Sequence, residues 1–317
     1  GGSAVNVTKI EALSGGAVWL LTETEGAIRI DTNPEDYSLT SQWYSAQSGQ
    51  FSATRVFGVY EDLLGNEWIL SDNGLGMLTA GQTTPTSYFV DAAEREKKGG
   101  QAFYSCLEYN SEIYFGSDNG RVWCYQKENG QFQLQNLPAS SRIVSINSVE
   151  GNELIFTTAK DGFFSYQPKT KAIEHFPASR FPNASIHSVY VDKASEVWFE
   201  QHIPGTVVHF NPRTRILKQE KVPVEPTSTD RSRPAFHIHE DINGVLWVHP
   251  YGGGFSYFDR KSNSLHPFYN SLSGSDWRFS NKIHAAFSDR QGDLWMCTHS
   301  KGLEKVTFRP SQFRVMT

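Results

Sequence analysis

The chain has 317 residues and by length alone could hold one large domain or two or three ordinary ones. It is 38% hydrophobic, 20% charged and 13% aromatic, with 26 Gly and 14 Pro, which excludes a disordered chain or a coiled coil and points to a turn-dense fold. A formal net charge of −5 with no polybasic block argues against a general nucleic-acid binder.

Residues 1–7, opening Gly1-Gly2-Ser3, read as a cloning remnant and leader, since they lack the basic-then-apolar order of a signal peptide. No stretch approaches the roughly 20 apolar residues of a membrane span. From there the chain repeats one unit seven times, over approximately residues 8–44, 53–90, 101–137, 143–178, 185–222, 235–270 and 282–317. Trp19, Trp68, Tyr114, Ile155, Trp198, Trp247 and Trp295 fall at one equivalent position, in steps of 49, 46, 41, 43, 49 and 48 residues. Six or seven residues beyond each comes a glycine: Gly26, Gly74, Gly120, Gly162, Gly205, Gly253 or Gly254, and Gly302. Five of the seven anchors are Trp although the chain holds only eight, which a random sequence would not produce.

Period-two alternation divides each copy into four short strands. In the sixth they run over 235–240, 245–250, 254–258 and 265–269. The first turn carries Asp six before the anchor (Asp62, Asp192, Asp241, Asp289) or Gly three before it (Gly16, Gly65, Gly244, Gly292). The Asp carboxylate can accept backbone N–H groups of a short hairpin, and Gly takes the left-handed position that closes it. The second turn ends at the shared glycine, as in Ser71-Asp72-Asn73-Gly74, and the third is Pro- or Asn-rich, as in Asn211-Pro212-Arg213-Thr214. No window carries a helical stripe. The expected fold is all-β: a single seven-bladed β-propeller of four-stranded antiparallel blades. An open solenoid would need polar capping repeats, and neither end copy has that character. Closure then rests on packing between blades or on a small exchange involving residues 4–7.

The repeat is neither the Gly-His…Trp-Asp type nor the sialidase Asp-box. It resembles the two-component regulator propeller repeat, Asp-x-x-Gly-x-Leu-Trp-hydrophobic-Gly-Thr-x-x-Gly-Leu. The matching segments are Asp289-Arg290-Gln291-Gly292-Asp293-Leu294-Trp295 with Gly302-Leu303, Asp241-Ile242-Asn243-Gly244-Val245-Leu246-Trp247, and Asp62 to Trp68 with Gly74-Leu75. Other copies depart from it, with Tyr114 or Ile155 for Trp and Ser195 for the turn Gly. The resemblance implies the periplasmic sensor region of a Bacteroidetes hybrid two-component histidine kinase that detects oligosaccharides released from glycans. It implies further domains of the same sensor chain, a homodimer at full length, an inner-membrane anchor outside this segment, and no catalysis by this segment.

In such a fold the loops between blades share a face with the second turns, and ligands collect there. Three of these loops are long and polar: 91–100; 223–234, with Arg231 and Arg233; and 270–281, with Trp277 and Arg278. Neighbouring strand starts add Arg55, Arg142, His187, His237 and Lys282. Together these form the candidate ligand site, suited to an anionic sugar, with Trp277 offering a flat face to a pyranose ring and arginines making forked contacts. The competing reading makes this set solvated loop charge, with Trp277 a loop staple or a domain contact. His202, His249 and His299 raise a metal site, but no carboxylate is spaced to complete it, and neither metal nor cofactor is expected. His237 and His239 alternate in a strand and face opposite sides. Cys106, Cys124 and Cys297 fit neither a disulfide framework nor a zinc site and read as small core residues. Acidic groups of the second turns (Glu23, Glu25, Asp72, Asp118, Asp161) are the residues a lyase or glycosidase would draw on, yet turn chemistry alone accounts for them. The alternatives are therefore a propeller polysaccharide lyase or glycosidase, and a non-catalytic interaction scaffold.

Overall fold

The structure, a computed structural model, describes residues 5–90, 102–222, 237–250, 255–268, 283–298 and 302–307. Every sheet is an antiparallel meander in chain order. In blade 2, Val56–Glu61, Glu67–Ser71, Gly74–Leu78 and Thr86–Tyr88 pair each with the next. Six of the seven sheets have four strands; the last, Ile283–Ser288, Leu294–Thr298 and Gly302–Val306, has three among the described residues. The chain is a seven-bladed β-propeller, and a single 3-10 turn, Ala178–Arg180, is its helical content among the described residues. No helix there is long and apolar enough to cross a membrane.

Contacts divide the chain into two units: Gly1–Ser148 with Glu153–Phe176, and Val149–Asn152 with Pro177–Thr317. In the first, one cluster joins Trp19 and Leu21 of blade 1 to Val56, Val59 and Ile69 of blade 2, and another joins Trp68 to Phe103, Ile113 and Phe115 of blade 3. In the second, Trp198 and Val207 of blade 5 pack with Leu246, Val248 and Phe258 of blade 6. Second strands lie between two neighbours and lose their alternation: Ile113 to Ser117 are all buried.

The first turns explain the spacing of the repeat. One oxygen of Asp62 accepts the N–H of Leu64 and Asn66 at 2.9 and 3.0 Å, while the other accepts the indole N–H of the buried Trp68 at 3.1 Å. Asp192–Trp198, Asp241–Trp247 and Asp289–Trp295 repeat the indole bond at 3.0, 3.0 and 2.8 Å. Gly65 sits at φ 80°, and Ser195 takes the same left-handed position at φ 63°. Blades 3 and 4, which depart from the consensus, close differently: Asn110-Ser111 and Gly151-Asn152 are pairs of positive-φ residues, as a two-residue type I′ hairpin requires. The third turns follow the expected chemistry, with Asn211 accepting the N–H of both Arg213 and Thr214 at 3.0 Å.

Candidate functional site

The second turn of a blade fixes the strand start beside it. In blade 2, Asp72 accepts the N–H of Thr54 and Arg55, both at 3.1 Å, and the Thr54 hydroxyl, while its own N–H donates to the Arg55 carbonyl at 3.0 Å. In blade 4, Asp161 accepts the N–H of Ser140 and Ser141 at 2.9 and 2.8 Å and both hydroxyls, and the N–H of Ala159 donates to the Arg142 carbonyl at 2.8 Å. Burial would raise the Asp161 carboxyl, but these bonds outweigh it and hold it below the usual carboxylate range. Asp72 and Asp161 are thereby committed to positioning backbone, as the turn reading of the second-turn acids expects.

Two of the candidate cations are brought together by this device. Arg55 lies over the ring of Phe57, 5.3 Å from its centroid; Phe57 packs on Tyr104 of blade 3 at 4.2 Å; Arg142 of blade 4 lies over Tyr104 at 4.8 Å. The result is a ladder, Arg55–Phe57–Tyr104–Arg142, across the first strands of three successive blades. Both arginines are exposed and both rings half-buried. Stacking occupies a guanidinium face and leaves the edge, with its fork of N–H donors, available to a carboxylate or sulfate. Phe57 and Tyr104 were not singled out in the sequence. The available signal was spacing alone, which sets Phe57 two residues after Arg55 at the start of its strand.

The second unit places two further candidates. His187 stacks on His202 with ring centroids 3.5 Å apart and planes 5° from parallel. Glu200 lies 3.3 Å from His202 Nε2, accepts the Ser188 hydroxyl at 2.7 Å and takes the His187 backbone N–H on its carbonyl at 3.1 Å. A carboxylate stands beside His202, two residues before it in the chain. Among the described residues, no group of three or more His, Cys, Asp or Glu is arranged to hold a metal ion. His237 lies 6.4 Å from His249 between ring centroids, while His239 is partly buried, its Nε2 3.4 Å from the Ser288 hydroxyl. Burial lowers His239 from its ordinary value to about 4. Arg231, Arg233, Trp277, Arg278, Lys282 and His299 lie outside the described residues.

No protein-family model matches the chain, and no curated protein matches it. Among solved structures it is similar to the extracellular domain of the hybrid two-component system BT4673 from B. thetaiotaomicron. That match has 18% identity and a TM-score of 0.57, over 99% of this chain and 39% of that one. Extracellular domains of two-component systems share this fold. The corresponding domain of BT3049 from the same organism matches at 14% identity and TM-score 0.54, over 100% of this chain and 47% of that one. Virginiamycin B lyase from Staphylococcus aureus matches at 17% identity and TM-score 0.61, over 96% of this chain and 98% of the lyase. At these identities the likeness is one of fold. The chain spans less than half the length of the two-component domains it matches.

Proposed function

We propose that this chain is the ligand-sensing extracytoplasmic propeller of a hybrid two-component sensor, placed in the periplasm as part of an inner-membrane protein, and that it detects an anionic, glycan-derived oligosaccharide. The observation that carries the ligand class is the Arg55–Phe57–Tyr104–Arg142 ladder, in which two exposed guanidiniums are held on aromatic rings and their backbones are pinned by second-turn hydrogen bonds. Groups ordered before binding lose less entropy when a charged ligand arrives. Arg231, Arg233, Trp277, Arg278, Lys282, His187 and His237 are further candidate ligand residues, all of them in the second unit. Binding favours one of two arrangements of the full-length homodimer, and further domains of the same chain carry the output. Calorimetric titration against a panel of acidic and neutral oligosaccharides tests the reading. An acidic member should bind, and Arg55→Ala with Arg142→Ala should weaken it by tenfold or more, which is about 1.4 kcal/mol. Unchanged affinity in the double variant places the ligand elsewhere.

A second reading is a polysaccharide lyase or glycosidase; the fold is compatible with catalysis, since virginiamycin B lyase is built on it. Ultraviolet absorbance of the unsaturated product, followed during incubation with uronate polymers, separates the two: turnover supports the lyase, and saturable binding without turnover supports the sensor.

A further inference from the structure

We propose that the Arg55–Phe57–Tyr104–Arg142 ladder is a two-point reader of charge: it takes one ligand that carries two anionic groups, carboxylate or sulfate, and holds one of them on each guanidinium. This rests on the acidic-oligosaccharide reading above and narrows it to sugars with at least two charges on one short chain. The ladder begins in two β-bulges. In blade 2, Val56 faces Ser71 and Gly58 faces Leu70, so Phe57 is the extra residue; in blade 3, Phe103 faces Ser117 and Ser105 faces Gly116, so Tyr104 is. A bulged residue leaves the alternation of its strand and its side chain is re-aimed. Two rings from different sheets thereby meet at 4.2 Å with planes 32° apart. The arginine backbones are tied across the blades as well. Gly26 of blade 1 donates its N–H to the Thr54 carbonyl at 2.8 Å and bridges Arg55, while the Ser105 hydroxyl donates to the carbonyl of Ile143, next to Arg142, at 3.2 Å. Gly116 permits that approach, since a Cβ there would stand 2.6 Å from the Cβ of Ile143.

The stacking decides what the ladder can contact. Phe57 gives one face to Arg55 and the other to Tyr104, and Tyr104 gives one face to Phe57 and the other to Arg142. Neither ring keeps a face for a pyranose, so a sugar is not gripped here by its C–H surface. What remains are edges: the N–H fork of each guanidinium and the Tyr104 hydroxyl. No described residue forms an ion pair or a side-chain hydrogen bond with either guanidinium or with that hydroxyl. The second-turn acids beside them are turned elsewhere, Asp72 to the N–H groups of Thr54 and Arg55 and the Thr54 hydroxyl, Asp161 to the N–H and hydroxyl groups of Ser140 and Ser141. With two rings standing between the guanidiniums, in steps of 5.3, 4.2 and 4.8 Å, one carboxylate cannot close on both forks at hydrogen-bond distance. Each fork therefore takes its own anion. Joining the two anions in one molecule makes the second contact intramolecular, and the gain depends on whether the spacing of the charges fits the ladder.

The test is calorimetric titration with trigalacturonate, with the same trimer bearing a single free carboxylate and otherwise methyl-esterified, and with the fully esterified trimer. A galactosamine disaccharide carrying one or two sulfates repeats the comparison and separates a sulfate preference from a carboxylate preference. The multiply charged member of a series should bind at least about tenfold more tightly than the singly charged one, and the neutral trimer should not bind. Arg55→Ala and Arg142→Ala, each taken alone, should bring the multiply charged sugar down to the affinity of its singly charged counterpart. The ester and sulfate series change only the ligand, so they decide the matter without any variant. Equal affinity for singly and multiply charged sugars in both series, or a loss in only one of the two single variants, overturns the two-point reader; the acidic-ligand reading then stands if the double variant still binds more weakly. Silence of every acidic sugar overturns both.

Discussion

At residue scale the repeat is a set of buried hydrogen bonds written into spacing. Asp62 serves Leu64, Asn66 and the indole of Trp68, and although burial would raise its carboxyl, those bonds hold it below the ordinary range. Asp62→Ala leaves a buried indole N–H and two turn N–H groups without their acceptor, and should cost about 3 kcal/mol in urea unfolding. Ser195 offers the converse. It occupies a left-handed position that the equivalent turns of blades 2, 6 and 7 give to glycine, and its N–H donates to the Asp192 carbonyl at 2.9 Å as Gly65 does to Asp62. Ser195→Gly removes the steric cost of that φ and should stabilise the protein by up to about 1 kcal/mol, read as a higher urea midpoint at unchanged slope. The sequence shows the Asp, the Gly and the Trp, because their offsets are constant. It does not show that the second carboxylate oxygen takes the indole, because that partner is set by where the side chain lands after the hairpin closes.

Elements were legible to differing degrees, for reasons that differ between blades. Blades 2, 6 and 7 carry the whole Asp-x-x-Gly signal. Blades 3 and 4 look degenerate only because their first strands join by type I′ pairs, Asn110-Ser111 and Gly151-Asn152, which need no capping carboxylate. The cation ladder was half visible: Arg55 and Arg142 stand at strand starts, but the contact of Phe57 with Tyr104 that joins them crosses from blade 2 to blade 3, and no local pattern reports a contact between strands of different sheets. Strand burial also fixes a pH response. His239, on the first strand of blade 6, has its value lowered to about 4 by burial, with Asp241 opposing that shift and His237 adding to it. The unfolded imidazole takes a proton near 6.5, so between 6.5 and 4 the unfolded state binds the proton and the folded state does not. The stability this represents is whole above that window and is lost as pH falls through it, on the order of 3 kcal/mol at the acid end. His239→Asn should flatten the acid limb of the stability profile over that window; an identical limb in the variant would assign it to other groups.

At the scale of the whole molecule, blades are nearest-neighbour units whose polar contacts cross from one sheet to the next. The N–H of Leu63 in blade 2 donates to Glu108 of blade 3 at 2.9 Å, and that of Lys193 in blade 5 to Glu240 of blade 6 at 2.8 Å. Blade 1 makes the strongest case, because Leu13 stands where blades 2, 5, 6 and 7 have Asp. Its buried Trp19 therefore finds an acceptor outside its own sheet: Glu67 of blade 2 takes the indole N–H at 2.8 Å and two N–H groups of Arg29 at 3.1 and 2.9 Å. One carboxylate in blade 2 thus satisfies the anchor of blade 1. Removing it strands an indole donor and a largely buried guanidinium at once, so Glu67→Ala should cost about 3 kcal/mol. Glu67→Gln keeps an acceptor for Trp19 while losing the charge, and should recover roughly half of that loss. Hydrogen exchange locates the effect: the Trp19 indole and the amides of Val18–Thr22 should lose protection along with those of blade 2. Loss confined to blade 2 would show that the sheets are stabilised one by one, and that the polar bond between them adds nothing to their cooperation.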